Sequence, residues 1–227
     1  MPGHARIVGR VLQAPTLADL SAACETFASF GDVDRATREL RAAAGPRLDL
    51  AAASHRDALL TWLNAWGCRI RVPRPGEPRP FQDAIWAWWT AWGGALPARP
   101  LYRLSDKDVR RLGEAHAALA ALPATAGATV RRLSSTAAAK ALFALRPRTV
   151  TPWDAAIALA LHGARDGDAF ARHQALGREW SRALLATTGL TEARLALAVG
   201  RPGATLARLL DEYCYVRITY ARRGTRP

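Results

Sequence analysis

Four Ser/Thr-x-x-Asp segments stand at the start of apolar stretches in this chain, and they constrain its fold more than any other feature. In this pattern the Ser or Thr side chain bonds a backbone N–H of the first helical turn, and the acidic side chain bonds back to the start of the helix. The apolar residues that follow recur every three or four positions, as they do on one face of a helix. The segments begin at Thr16, Ser54, Ser105 and Thr151, and each predicts a helix.

The rest of the chain also favours helices. Hydrophobic residues make up 50% of it, many of them alanine, and runs of β-branched residues are few. Further helices are predicted around Lys140, ending at Pro147, and over residues 33–44, 81–92, 168–187, 191–199 and 205–213. Residues 215–220 alternate in a way that fits a short C-terminal strand or a docked tail. The predicted fold is therefore all-α, a multi-helix single domain in one or two lobes.

The length of 227 residues fits one large domain or two small ones, with a substantial hydrophobic core. We predict an all-α core domain over residues 51–227, with a helical segment over residues 1–50 packed on it. The candidate site is expected within residues 133–154. The sequence leaves open the oligomeric state and the role of residues 1–50.

The charge of the chain predicts a polyanionic partner. Its 32 Lys and Arg residues exceed its 19 Asp and Glu residues, which gives a formal net charge of +13. A GC-rich genome explains why nearly all basic residues are Arg, but it does not explain why basic residues exceed acidic ones. DNA is the expected partner and is preferred over an anionic membrane surface.

Several other kinds of site are not expected. The three cysteines, Cys24, Cys68 and Cys214, lack CxxC spacing, which argues for a reducing compartment and against a disulfide framework or a zinc site. The histidines show no HExxH spacing, and there is no glycine-rich phosphate loop. Neither a signal-peptide pattern nor an apolar run of membrane-spanning length is present. We therefore expect a cytoplasmic protein that holds no metal and no cofactor.

Three basic segments are candidates for contact with phosphate groups. One is a loop over residues 69–80, whose prolines and glycine exclude a helix or a central strand. The second runs up to and into the Lys140 helix, and the third follows that helix. Arginine and hydroxyl side chains hold phosphate oxygens in nucleic-acid complexes. The candidate nucleic-acid-binding residues are Arg69, Arg71, Arg74, Arg131, Arg132, Ser135, Thr136, Arg146 and Arg148.

The helix predicted over residues 81–92 carries four indoles, those of Trp86, Trp88, Trp89 and Trp92. Such a cluster fits core packing or a groove for a protein partner, and it also fits stacking on unpaired bases. Core packing is the favoured interpretation for the cluster as a whole. Trp88 and Trp153 are the candidate residues of a base pocket.

Lys140 is one of two lysines in a chain whose other basic residues are arginines. An arginine stays protonated in essentially every protein site, whereas a half-buried lysine can lose its proton and act as a nucleophile. The alternative is a structural lysine whose stem packs on apolar neighbours while its ammonium reaches water. Lys140 is therefore a candidate catalytic residue.

Asp154 is the second candidate catalytic residue, because a short basic loop joins the Lys140 helix to the helix that Asp154 opens. This loop allows both side chains to face one cleft. The positive end of the helix dipole favours the ionised carboxylate. The alternative is that Asp154 only caps its helix, since residues 151–154 form one of the capping patterns.

This arrangement of Lys helix, loop and Pro-x-Asp resembles the helix-hairpin-helix DNA glycosylase superfamily. The matching positions run from Leu133 to Lys140 and from Pro152 to Asp154. Serine, threonine and alanine stand where that family has its hairpin glycines, and the spacing from Lys to Asp is shorter. The segment is also similar to uncharacterised bacterial proteins in which this helix ends in Leu-Arg-Pro and the chain continues to Pro-Trp-Asp.

The resemblance implies an all-α fold of glycosylase type and an enzyme that flips a damaged or modified base out of DNA and excises it. In that family the Lys attacks the sugar C1′ through a Schiff base and the Asp supports the developing charge. Lys140 would then be the nucleophile and Asp154 the carboxylate. Two other hypotheses stay open: a non-enzymatic nucleic-acid-binding domain, and a protein-interaction module that docks its partner on the Trp-rich helix.

Overall fold

The computed structural model describes residues 13–125 and 130–224. Its α-helices are α1 (Leu17–Ala28), α2 (Arg35–Ala44), α3 (Ala53–Ala65), α4 (Pro80–Trp92), α5 (Asp106–Ala120), α6 (Ser135–Leu145), α7 (Ala155–His162), α8 (Gly167–Thr188), α9 (Glu192–Ala198) and α10 (Leu206–Cys214). From α10 the chain continues directly into a π-helical segment (Tyr215–Tyr220) and a last helical turn, α11 (Ala221–Gly224). None of the helices in these ranges combines the length and hydropathy that crossing a lipid bilayer requires.

The all-α prediction is confirmed, because residues 13–125 and 130–224 contain no β-strand beyond one isolated antiparallel bridge between Pro123 and Arg132. Of the two predictions for residues 215–220, a short strand or a docked tail, the strand is wrong, since this segment is π-helical. The helical conformation buries Ile218 and brings the Thr219 hydroxyl within 2.7 Å of Asp154. A lone strand here would have no neighbouring strand to satisfy its backbone groups.

Two of the four capping patterns form complete capping boxes. Thr16 and Asp19 exchange side-chain and backbone hydrogen bonds at the start of α1, and Ser105 and Asp108 do the same at the start of α5. These helices therefore begin where the sequence predicts. Other helices begin at a single side-chain cap, provided by Ser134, Asp166, Thr191 and Thr205.

The other two patterns do not form capping boxes. Ser54 lies inside α3, which begins after Ala52 without a side-chain cap. Asp57, the acid of this pattern, is hydrogen-bonded to Arg79 instead. In the pattern that begins at Thr151, Asp154 itself is the N-cap of α7 and accepts a hydrogen bond from a backbone N–H.

Helices α5 and α8 pack closely against each other, and their crossing depends on two glycines. A Cβ atom on Gly113 would lie 2.6 Å from the carbonyl oxygen of Gly167, and a Cβ on Gly167 would lie 2.6 Å from that of Gly113. Both distances are well inside van der Waals contact. The glycines therefore allow the two backbones to approach and bring the buried face of α5 against Phe170 of α8.

The segment from residue 13 to residue 50 packs on the rest of the helices. Helix α1 lies against α10 and the π-helical segment, while α2 lies against α3. Leu20, Cys24 and Leu40 belong to the same cluster of buried apolar residues as the other helices. Arg201 adds a polar connection, because its guanidinium pairs with Asp34 before α2 and with Glu212 in α10.

Candidate nucleic-acid interface

Lys140 lies in the middle of α6, where its ammonium is held by Trp66. Its Nζ donates a hydrogen bond to the backbone carbonyl oxygen of Trp66 at 2.6 Å and also lies 5.7 Å from the centroid of the Trp66 ring. Trp66 is the C-cap residue of α3. The lysine thus satisfies a carbonyl at the end of a helix, where a cation is favoured by the helix dipole.

Both carboxylate oxygens of Asp154 are occupied. Oδ1 accepts a hydrogen bond from the backbone N–H of Ile157 at 2.9 Å, and Oδ2 accepts one from the hydroxyl of Thr219 at 2.7 Å. The first of these bonds begins α7 and the second fixes the π-helical segment to it. Capping is therefore the role of Asp154 that the contacts show directly.

A second carboxylate, that of Asp211 in α10, interacts electrostatically with both Lys140 and Asp154. Burial raises the pKa of Asp211 to about 6, although Arg208 lies 2.8 Å from its Oδ2 and opposes the rise. Lys140 also lowers this pKa, whereas Asp154 raises it. Lys140 and Asp154 thus both influence the charge of Asp211, which stands in the sequence as part of the acidic pair Asp211-Glu212.

Trp88 and Trp153 lie in the core. Trp88 is 3% exposed and donates a hydrogen bond from its indole N–H to the carbonyl oxygen of Ala115. Trp153 is 1% exposed and packs edge-on against Phe170 and His116. Neither indole face is open to a flipped base in this structure, so the residues assigned to a base pocket from the sequence are core residues here.

Three histidines surround Trp153, and all three are held neutral by burial. Burial lowers the pKa of His116 and of His162 to about 4, and lowers that of His173 to about 3. His162 and His173 share a hydrogen bond of 3.2 Å between Nε2 and Nδ1. Neutral imidazoles are ligands for metals, but the described residues include no group of three or more His, Cys, Asp or Glu side chains placed to hold an ion.

The Trp-rich helix α4 divides its indoles between the core and the surface. Unlike the buried Trp88, Trp86 is 41% exposed, and Trp89 and Trp92 are half-buried. Each of these three rings is covered by a guanidinium 5.6 to 5.7 Å from its centroid: Arg56 on Trp86, Arg146 on Trp89 and Arg111 on Trp92. The prediction of core packing therefore describes one face of this helix, while the other face alternates aromatic and cationic groups.

Arg146 and Arg148 have protein partners. Nη2 of Arg146 donates a hydrogen bond to the carbonyl oxygen of Gly93 at 3.1 Å, and burial lowers the pKa of this guanidinium. Arg148 is exposed but pairs with Glu192 at 2.9 Å. Both of these residues proposed to hold phosphate are therefore already engaged within the protein.

In the loop over residues 69–80, hydrogen bonds hold the backbone near its start, and an ion pair neutralises the charge of one arginine. The side chain of Asn64 bonds both the N–H and the carbonyl oxygen of Ile70, at 2.7 and 2.8 Å. Arg71 pairs with both oxygens of Glu77, at 2.8 and 2.9 Å. Arg69 and Arg74 are exposed. Arg71 and Arg79 are exposed as well but form ion pairs, so the loop presents two arginines, Arg69 and Arg74, that pair with none of the described acidic residues.

Arg131 and Arg132 extend from a short antiparallel pairing that precedes α6. The N–H of Ala124 bonds the carbonyl oxygen of Arg131 at 2.7 Å, and the N–H of Leu133 bonds that of Leu122 at 2.8 Å. Both arginine side chains are exposed. Residues 126–129, which connect the two arms, lie outside the described ranges.

The structure brings these two basic segments together. A cleft of about 160 Å³ separates them, with the loop on one side and Ala124 and Thr125 on the other. Its lining contains one arginine, Arg71, and one carboxylate, Glu77, which pair with each other, whereas the exposed arginines of the two segments lie outside the lining. We call the exposed side chains of Arg69, Arg74, Arg131 and Arg132 the basic surface.

The first turn of α6 follows directly from Arg132. Ser134 caps the helix by accepting a hydrogen bond from the N–H of Ala137 at 3.1 Å. Ser135 and Thr136 are half-buried, and the carbonyl oxygen of Ser135 lies 3.0 Å from Nε2 of His116. This helix start adds the positive end of a helix dipole next to the basic surface.

Comparison of the chain with protein-family models, with curated proteins and with solved structures finds no match in any of the three. The class of protein that the described residues define is an all-α protein with a basic surface beside a helix N-terminus. The resemblance to the helix-hairpin-helix glycosylases rests on the residues from Leu133 to Asp154 alone.

Proposed function

We propose that the protein binds nucleic acid, with phosphate groups held by the basic surface and by the first turn of α6. The observation that carries this proposal is that the loop over residues 69–80 meets the segment of Ala124 and Thr125, which is paired with Arg131, at one cleft. Each of these two segments, far apart in sequence, carries exposed arginines. Exposed guanidinium groups next to a helix N-terminus bind phosphate oxygens through both hydrogen bonds and charge. The net charge of +13 supports the same partner.

The binding role uses contacts that do not read a base sequence. Arginine contacts to phosphate fix a protein on a strand without selecting bases. We therefore propose binding of DNA with little sequence preference. Single-stranded and duplex forms are the two substrates to compare.

The test is the affinity of the protein for labelled single-stranded and duplex DNA, measured by fluorescence anisotropy. The variant Arg74→Gln/Arg131→Gln/Arg132→Gln removes three exposed charges of the basic surface. Its matched control, Arg110→Gln/Arg172→Gln/Arg194→Gln, removes three exposed charges from α5, α8 and α9. The proposal predicts a loss of at least about tenfold in the first variant and a much smaller loss in the second. Equal losses would contradict it.

A base-excision activity is the second candidate function, and it is favoured by the half-buried position of Lys140 in α6 together with the resemblance of residues 133–154 to the helix-hairpin-helix glycosylases. In this proposal the Lys140 amine leaves the carbonyl oxygen of Trp66 and attacks the sugar C1′ as the base departs. Borohydride trapping on DNA with an abasic site tests it. An adduct that disappears in Lys140→Ala but persists in Lys107→Ala supports excision, and the absence of any adduct with wild type contradicts the nucleophilic role.

A further inference from the structure

Trp86 has the most exposed side chain among the four indoles of α4. It is 41% exposed, whereas Trp89 and Trp92 are half-buried and Trp88 lies in the core. Packing within the protein therefore accounts for the other three indoles better than for Trp86. A single exposed apolar residue is common on protein surfaces, so the groups around this indole decide what it can bind.

A guanidinium group without a carboxylate partner lies beside Trp86. It belongs to Arg56, whose guanidinium carbon is 5.7 Å from the ring centroid. Nη1 of Arg56 donates hydrogen bonds of 2.7 and 2.9 Å to two backbone carbonyl oxygens just before α3. The neighbouring acidic residue, Asp57, pairs with Arg79 instead. The charge of Arg56 is thus held in place, and no acidic side chain in the described ranges forms an ion pair with it.

Trp86 and Arg56 lie next to the cleft at the basic surface. Phe81 and Gln82, in the first turn of α4, line that cleft, and Trp86 stands one helical turn beyond Gln82. Gln82 also donates a hydrogen bond of 3.2 Å to Asp57, the residue that follows Arg56 in α3. Helices α3 and α4 therefore place the exposed indole and its cation at the end of the cleft that the basic loop forms.

The surroundings of Trp86 fit a base better than an apolar partner helix. Its neighbours on the exposed side of α4 are Asp83, Ala87 and Thr90, which are small or polar. A helix docked by its apolar face needs several apolar anchors in a row, and these three residues supply none. They leave space for one flat ring on the indole. Asp83 would repel a phosphate group, so phosphate is expected on the side of Arg56.

We propose that the nucleic acid bound by the basic surface is single-stranded, and that an unpaired base stacks on Trp86 while a neighbouring phosphate lies at Arg56. This inference rests on the proposed function, because the basic surface supplies most of the charge. In a duplex the faces of the bases are covered by the adjacent base pairs, so an indole reaches them only where the strand is unpaired. Stacking accepts every base, since each has a π-face.

Fluorescence anisotropy measures the affinities for a labelled single strand, for a labelled oligothymidylate of the same length and for the duplex, all at one salt concentration. Trp86→Ala removes the ring, and Trp86→Phe keeps an aromatic face. The matched control is Tyr220→Ala, which removes another exposed ring, 46% exposed and packed on Phe30 rather than on α4. Urea unfolding verifies that each variant is folded.

The inference predicts that wild type binds the single strand more tightly than the duplex. Trp86→Ala is expected to lose roughly tenfold in affinity for single strands and little for the duplex, because one stacked base contributes on the order of 1–3 kcal/mol. Trp86→Phe is expected to retain most of the affinity, and Tyr220→Ala to bind like wild type. A base stacked on an indole quenches its emission, so oligothymidylate should quench part of the tryptophan fluorescence of wild type but not that of Trp86→Phe.

Three results would overturn the inference. Equal affinity of wild type and Trp86→Ala for single strands, with the loss in Arg74→Gln/Arg131→Gln/Arg132→Gln intact, would leave the proposed function standing without a role for Trp86. An equal loss by Trp86→Ala on single strands and duplex would exclude stacking on an unpaired base. Failure of wild type to bind either form would overturn the inference and the proposed function together.

Discussion

Lys140 donates a hydrogen bond of 2.6 Å to the backbone carbonyl oxygen of Trp66, 74 residues away in the sequence, and its ammonium lies over the same residue's ring. This relationship explains a lysine in a chain that otherwise uses arginine. An ammonium can direct its charge to one carbonyl oxygen at a helix end, whereas a planar guanidinium carries five donors in a wider fork. Lys140 is thus a helix cap supplied by another helix.

Loss of this cap is expected to destabilise the fold. We predict that Lys140→Met lowers the free energy of unfolding by about 1–3 kcal/mol, because the Trp66 carbonyl loses a charged hydrogen-bond donor. Urea denaturation measures the change. The control is Lys107→Met on the exposed face of α5, which is expected to change stability by less than about 0.5 kcal/mol. An equal effect of both substitutions would contradict the role given to Lys140.

Two substitutions of Asp154 distinguish a capping role of this residue from a catalytic one. Asp154→Ala removes the acceptor for the Ile157 N–H and is expected to cost about 1 kcal/mol, with a further loss from the Thr219 hydrogen bond. Asp154→Asn keeps an oxygen for the cap and is expected to unfold close to wild type. If the protein excises bases, Asp154→Asn loses excision while retaining this stability. Unchanged excision in Asp154→Asn would restrict Asp154 to capping.

The crossing of α5 and α8 predicts a large effect of a single methyl group. Gly113→Ala places a Cβ 2.6 Å from the Gly167 carbonyl oxygen, so the helices must separate. We expect a loss of about 1–3 kcal/mol or more in unfolding free energy. Gly94→Ala is the control, since a Cβ there meets nothing within 4 Å. Thermal unfolding of both variants tests the packing. An unchanged midpoint for Gly113→Ala would contradict the close approach of the two helix backbones.

The buried histidines predict loss of stability in acid. The folded-state pKa values of His116 and His162, about 4, and of His173, about 3, lie below the ordinary value of 6.5. Below pH 6.5 the unfolded chain therefore binds more protons, and the free energy of unfolding falls as pH decreases towards these values. Asp211 acts in the opposite sense, because its folded-state pKa of about 6 is raised, so its contribution to stability is lost as pH rises through 6.

The three histidines change the free energy of unfolding with pH more than the single carboxyl of Asp211 does. We expect the free energy of unfolding to drop by a few kcal/mol between about pH 7 and pH 5, since each pKa unit corresponds to about 1.4 kcal/mol. Urea unfolding across this range measures the slope. His162→Gln removes one of the three titrating groups and is expected to make the slope shallower. Stability that stays constant down to pH 5 would mean that the imidazoles are protonated in the folded protein.

The helices were predictable because their signals are local. The capping boxes at Thr16 and Ser105 and the three- and four-residue spacing of apolar residues involve neighbours in sequence. Where a tertiary contact competes, the local pattern fails. Asp57 bonds Arg79 rather than capping α3, and the segment after α10 becomes π-helical where it packs on Asp154 through Thr219.

The candidate sites were predictable only in part. Composition and proline content identified the arginine segments, but only the folded chain brings Arg71 and Thr125 to one cleft. The hydrogen bond from Lys140 to the Trp66 carbonyl oxygen joins residues 74 positions apart, and sequence spacing does not predict such a contact. A cavity of about 440 Å³ lies between α2 and the start of α10. These segments are far apart in the chain, and no sequence motif predicts that they form a cavity.

The central claim, that the basic surface binds phosphate groups, is tested most directly by the salt dependence of DNA affinity. We would measure the slope of log affinity against log salt concentration, between about 50 and 200 mM, for wild type and for Arg74→Gln/Arg131→Gln/Arg132→Gln. Each lost phosphate contact reduces the slope by about 0.9 on duplex and about 0.7 on single strands, so we predict a reduction of about 2–3. An unchanged slope, with the Arg110→Gln/Arg172→Gln/Arg194→Gln control unchanged as well, would contradict the claim.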